Sequence, residues 1–337
     1  MNREIVGIQY LRGLAALAVV LDHAAATVAT HLGEPILGGK LYAGAVGVDL
    51  FFLISGFIIT VVSLDSDWQP KVKVGAFFRK RFVRIVPVMW VAILSYGALR
   101  IVGLGGIDPV PYLRALVLSP VGLMEPLHIW TLRHEFIFYA VFALTMLGPR
   151  WLRPFLVVWC LLPIVGALGE FPEIIEKLAW PTNVEFAAGV LLGLLYLKRP
   201  AEIRLPGGAF AISVALVTGL VVAAATFGHA FHLLSSTALM ALICAPILAF
   251  GVYVQGPTFE PGRRLGDASY ALYLFHPHIL GAGAFLIRGL PIPPLLAFAG
   301  LVVACVAGGL AAHYWLERPL LSLFKRRTTP PPSTPNP

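Results

Sequence analysis

Charge is scarce in this chain: of 337 residues only 12% are Asp, Glu, Lys or Arg, against 58% hydrophobic. So few charged side chains cannot cover the water-facing surface of a soluble domain of this length. Cysteine is scarce too. Cys160, Cys244 and Cys305 all fall inside apolar runs without paired spacing, which argues against a disulfide framework and against a metal site, and leaves them as packing residues. The sequence also lacks a P-loop, a GxGxxG fingerprint and a strong internal repeat, so the folds built on those motifs are not expected.

What remains is hydrocarbon. Mean hydropathy is +0.83, and apolar runs of about 20 residues, the length that crosses a roughly 30 Å hydrocarbon core, recur along the whole chain. They predict an all-α, polytopic integral membrane protein of about ten spans, near residues 9–30, 43–63, 83–102, 130–148, 152–168, 182–197, 209–227, 231–253, 268–288 and 294–316. The stretch 107–122, broken by Pro109, Pro111 and Pro120, reads as an interfacial or re-entrant piece. With both termini in the cytoplasm, all of the 25 Lys and Arg lie on the inner side except Lys40, Arg100, Arg114, Arg133, Lys177 and Arg288. The net charge of +8 is therefore mostly a topology signal and calls for no nucleic acid. The first span has no small-residue cleavage site and reads as an uncleaved helix. Residues 1–324 are expected to form one transmembrane domain, and 325–337, "KRRTTPPPSTPNP", a disordered cytoplasmic tail.

Ionisable groups inside spans are costly, so each is a functional candidate. In "YLRGLAALAVVLDHAAA", Arg12 and His23 are eleven residues apart. Eleven steps of about 100° return to within roughly 20°, placing both on one helix face about 16 Å apart. Asp22 is next to His23 in sequence but points about 100° away, so it need not touch it. The second span holds Asp49 and the fourth holds Glu135, with Trp130 and Tyr139 nearby, two residues that also suit an aromatic belt. "KVKVGAFFRKRFVRIVP" puts six basic residues into fourteen positions, Lys71 to Arg84, denser than topology needs. "LGDASYALYLFHPHIL" places Ser269, Tyr273 and His276 roughly on one face beside Tyr270, and Pro277 should kink that helix and free backbone groups. From the residues alone two classes fit: an enzyme moving a group from an anionic cytoplasmic donor to a hydroxyl, or a proton-coupled transporter with a His and carboxylate relay.

Six segments in order carry a further signal: "IQYLRGLAALAVVLDHA", "GVDLFFLISGFIIT", "FFRKRFVRIVP", "WTLRHEFIFY", "LGDASYALYLFHP" and "WLERP". Over nearly its full length the chain resembles the acyltransferase-3 family of membrane-bound acyltransferases, which includes bacterial exopolysaccharide and lipopolysaccharide O-acetyltransferases. The resemblance implies transfer of an acyl group, usually acetyl, from acyl-coenzyme A to a carbohydrate hydroxyl in the bacterial inner membrane, without a metal. It implies His23 as catalytic base, Arg12 as a donor-binding residue, and Arg79, Arg81 and Arg84 as part of the coenzyme's phosphate site. Arginine forks suit phosphates, and the Arg12 to His23 distance is comparable with a pantetheine arm.

An imidazole of ordinary pKa, about 6.5, is a serviceable base at neutral pH. Asp22, Asp49 or Glu135 are expected to orient it. Ser269, Tyr273 and His276 are expected to hold donor or acceptor or to stabilise an oxyanion, and Asp49, Trp130, Tyr139 and Tyr270 to contact the acceptor. Expected partners are a carbohydrate or lipid-linked sugar, membrane lipids and polysaccharide-assembly proteins. Some members of the family carry a fused periplasmic hydrolase-like domain after the last span; this chain is expected to be the minimal form. Arg133 and His134, just before Glu135, add positive charge there.

Overall fold

A computed structural model describes residues 5–33, 35–36, 43–148, 156, 159–160, 162–163, 169–199, 202–227 and 233–326. The helices are α1 (Val6–Leu32), α2 (Ala43–Ser63), α3 (Val74–Leu104), α4 (Pro109–Leu116), α5 (Trp130–Leu147), α6 (Glu173–Leu178), α7 (Asn183–Lys198), α8 (Gly207–Phe227), α9 (Leu233–Tyr253), α10 (Glu260–Asp267), α11 (Ser269–Ile287), α12 (Pro294–Ala312) and α13 (Arg318–Arg326). A 3₁₀ turn, Leu127–Ile129, leads into α5, and a π-helical turn, His313–Glu317, joins α12 to α13. The described strands are two-residue pieces, β1 (Ile203–Arg204) and β2 (Val254–Gln255), paired in parallel.

Among the described residues, six helical segments are long and apolar enough to cross a membrane: Val6–Leu32, Val46–Ser63, Val74–Gly103, Glu173–Lys198, Ser269–Ile287 and Pro294–Phe324. Gly207–Gly219 and Leu239–Tyr253 are shorter apolar helices. Nine of the ten expected spans fall on helices, while most of 152–168 lies outside the described residues, as does nearly all of the expected tail. The broken stretch 107–122 holds only the eight-residue α4, started by Asp108, whose carboxylate accepts the Val110 N–H at 3.0 Å.

The third helix differs from expectation in where it starts. It begins at Val74, nine residues before the predicted span, so Arg79, Lys80, Arg81 and Arg84 stand on its first turns and not in a loop. At 1.5 Å per residue its 31 residues extend about 46 Å, longer than the hydrocarbon core. The basic residues Arg79 to Arg84 lie toward the N-terminal end of this length.

Backbones approach closely where glycine permits. On α2 and α7 a Cβ at Gly56 would strike the Phe186 carbonyl, and one at Gly189 the Leu53 carbonyl. Gly266 of α10 lies against the Gln9 carbonyl of α1 in the same way. Around these contacts Phe52, Phe138, Phe142 and Phe186 form a buried aromatic core, with Phe138 and Phe186 stacked at 4.0 Å. Leu94, Val102, Leu147, Leu195 and Val303 point outward, the face a lipid-embedded bundle offers to acyl chains.

Candidate active site

Two cavities among the described residues hold the residues in question. One, of about 830 Å³, is lined by His23, Asp22, Asp49, His128, Trp130 and His276 among others. The other, of about 460 Å³, is lined by Arg12, Lys80, Arg81, Arg84, Glu135 and Ser269 among others. Their placement follows from helix direction. The N-terminal half of α1 faces the arginine cavity and its C-terminal half the histidine cavity, while α2 runs the opposite way, with Asp49 in the histidine cavity and Ser55 in the arginine cavity.

Val48 and Tyr273 line both cavities and so form part of the wall between them. The Tyr273 hydroxyl lies 2.6 Å from Thr131 Oγ1, and both reach the His128 carbonyl, at 2.8 and 3.0 Å. One hydroxyl donates to the carbonyl and the other donates to its neighbour, which ties α5, α11 and the 3₁₀ turn together at the wall.

On the histidine side His23 is open to the cavity while His276 is buried. Their rings stack at 5.0 Å, and His23 Nδ1 lies 3.1 Å from His276 Nε2. The other nitrogen of His276, Nδ1, lies 2.8 Å from the Tyr273 carbonyl oxygen. The described ring partner of His23 is thus a second histidine, where a carboxylate was expected. Asp22 lines the same cavity but its side chain packs over Gly44 of α2. Asp49 also lines it, with the fully buried Glu185 of α7 beside it.

On the arginine side Ser55 Oγ donates to Glu135 Oε1 at 2.6 Å, and the Tyr139 hydroxyl donates to the same oxygen. Arg81 sits 5.9 Å from the Tyr139 ring centre. Arg12 Nη1 donates to Gln9 Oε1 at 3.2 Å, and Tyr270 donates to the Ile85 carbonyl at 2.8 Å. Ser269 is fully buried, and its hydroxyl has no hydrogen-bond partner among the described residues.

The structure therefore brings together Arg12, Arg81, Arg84, Glu135, Tyr139, Ser269 and Tyr270 at one end, and His23, Asp22, Asp49, Trp130 and His276 at the other, with Tyr273 between. It separates Glu135 from His23. Arg79 is exposed and is not among the residues lining the arginine cavity. Ser55, Lys80, His128, Thr131 and Glu185 line or adjoin these cavities as well, beyond the site residues expected from the sequence. Lys80 lay in the basic cluster and Glu185 in a predicted span, so both had a signal; Ser55, Thr131 and His128 acquire their place only through contacts with distant helices.

The family model described as "Acyltransferase domain" matches residues 5–314. The exopolysaccharide production protein ExoZ of Rhizobium meliloti is 32% identical over 309 residues, covering 86% of this chain and 93% of its own. Acyltransferase MdmB of Streptomyces mycarofaciens is 29% identical, covering 96% and 94%. A putative peptidoglycan O-acetyltransferase of Bacillus subtilis, YrhL, is 23% identical over 95% of this chain and 55% of its own. No solved structure matches the chain significantly.

Proposed function

Because this chain belongs to the acyltransferase-3 family and is an acyltransferase, we propose that it transfers acetyl, or another short acyl group, from acyl-coenzyme A to a carbohydrate hydroxyl. We place it in the bacterial inner membrane with ten spans and both termini cytoplasmic. The exopolysaccharide named for the relative ExoZ and the peptidoglycan named for YrhL make a surface polysaccharide, or its lipid-linked precursor, the acceptor class.

The observation that carries the reading is the pair of cavities, one basic and one holding His23, that share the wall at Tyr273. The basic one fits the donor. Arg12, Lys80, Arg81 and Arg84 face one carboxylate, Glu135, leaving an excess of cations for phosphates. Ser269 adds a buried hydroxyl with hydrogen-bonding capacity to spare. Coenzyme A, when bound, supplies the acyl group as a thioester, which a hydroxyl can attack directly.

His23 Nε2 takes the proton from the acceptor hydroxyl as its oxygen bonds to the acyl carbon. The carbon–sulfur bond breaks, and the imidazolium returns that proton to the leaving sulfur. The acyl carbon must reach His23 past the Thr131–Tyr273 pair. Trp130 and Trp180, with ring centres 6.2 Å apart at the histidine cavity, provide apolar faces for a sugar ring.

The test is purified protein in nanodiscs, given acetyl-coenzyme A and an oligosaccharide acceptor, with free thiol and acetylated sugar measured. Wild type should release both in equal amounts, and His23→Ala should lower turnover by about 10²–10⁴-fold while the protein remains folded. Substrate crossing vesicle membranes with no thiol released would instead make the protein a transporter.

A further inference from the structure

We infer that His276 is a positioning residue that holds His23 in the one tautomer able to act as base, and that Pro277 is what equips His276 to do so. The inference rests on the acyl-transfer reading of His23, but the geometry behind it is independent of any substrate.

Pro277 lies inside α11 and has no N–H, so the carbonyl four residues before it, that of Tyr273, loses its helical donor. A bare carbonyl inside a bundle needs another donor. His276 Nδ1, 2.8 Å away, fills the role, and because a carbonyl oxygen only accepts, the hydrogen sits on Nδ1. In the neutral ring Nε2 then has a lone pair and no hydrogen. His23 Nδ1 faces that lone pair at 3.1 Å and must donate to it. The remaining nitrogen of His23, Nε2, is therefore an acceptor, on a ring open to the histidine cavity.

The chain from the Tyr273 carbonyl through His276 to His23 does what a carboxylate does behind a catalytic histidine: it fixes the tautomer and aims the ring. It differs in bringing no negative charge. When Nε2 of His23 gains a proton, His23 keeps its Nδ1–H donated to His276, and the ring is held through the step. His276 is kept in register by its own surroundings, with His128 at 5.4 Å between ring centres and Cys305 Sγ near its carbonyl at 3.9 Å. The same Tyr273 supplies the anchoring carbonyl and, through its hydroxyl, part of the wall between the cavities, so base orientation and wall position are set by one residue.

The experiment is nitrogen NMR on protein labelled with ¹⁵N-histidine in nanodiscs, without donor or acceptor, the His23 signals being those lost in His23→Gln. Wild type should show His23 protonated on Nδ1 and bare on Nε2. His276→Leu should move the hydrogen to Nε2 and lower kcat at least 30-fold, with both KM values changed less than threefold. His276→Gln, whose side-chain oxygen can take the place of Nε2 as acceptor, should keep the Nδ1–H form and at least a tenth of kcat. Pro277→Ala restores the backbone donor to Tyr273. It should leave α11 intact, mix the His23 tautomers and lower kcat, and it keeps the test decisive if His276→Leu does not fold. His23 bare on Nδ1 in wild type would overturn the inference, as would a His23 tautomer that Pro277→Ala and every folded His276→Leu sample leave unchanged. A correct tautomer in a protein that releases no thiol would instead sink the acyl-transfer reading and leave the relay standing.

Discussion

At the scale of single residues, the two cavities divide the ionisable groups by task. Arg84 faces the arginine cavity, whereas Arg79, five residues earlier on α3, does not. A charge-assisted hydrogen bond to phosphate is worth about 1.5–3 kcal/mol. Arg84→Gln should therefore raise the KM for acyl-coenzyme A by roughly 10- to 100-fold with little change in the acceptor KM. Arg79→Gln should change it less than about threefold. Steady-state kinetics with each substrate varied in turn checks both, and equal effects would remove the assignment of Arg84 to donor binding. Glu135 belongs to the same cavity and is held by Ser55 and Tyr139. Ser55→Ala should act on the donor KM in the same assay, not on the base.

At the scale of elements, packing depends on small residues at helix crossings. A Cβ added at Gly189 would run into backbone atoms of Leu53 and Phe57 on α2, so Gly189→Ala has no flexible neighbour to displace. We expect it to cost about 1–3 kcal/mol, as overpacking typically does, and to lower the thermal midpoint measured in detergent. Gly219 of α8, where an added Cβ would meet no described atom within 4 Å, should tolerate Ala without that loss. A midpoint unchanged by Gly189→Ala would mean that α2 and α7 do not cross there. Within the π-helical turn His313–Glu317, His313 Nδ1 lies 2.8 Å from Glu317 Oε2 with both residues buried.

At the scale of the molecule, opposed helix directions put the basic cavity and the histidine cavity at opposite ends of the bundle. With the proposed orientation, a cysteine placed at Lys80 should react with a membrane-impermeant maleimide only from the cytoplasmic side. One placed at His31 should react only from the other side. The buried native thiols Cys244 and Cys305 should stay silent in both cases. Labelling of both positions from one side would overturn the orientation and with it the division of donor and acceptor between the cavities.

Membrane class, all-helical architecture and most span positions were legible in the sequence because the hydrocarbon core demands long apolar runs whatever the packing, and hydropathy is a local property. The shared face of Arg12 and His23 was legible for the same reason, since helical phase depends on spacing alone. Which residues meet across helices was not. Asp22, Asp49 and Glu135 all looked able to orient His23, yet the ring partner is His276, 253 positions away, and Glu135 stands in the other cavity. The proline that frees the Tyr273 carbonyl can be read from the sequence, but the side chain that takes up that carbonyl, and the imidazole that leans on it in turn, were decided by tertiary packing, because hydrogen-bond partners inside a bundle depend on helix order and rotation, and no spacing within one helix encodes these.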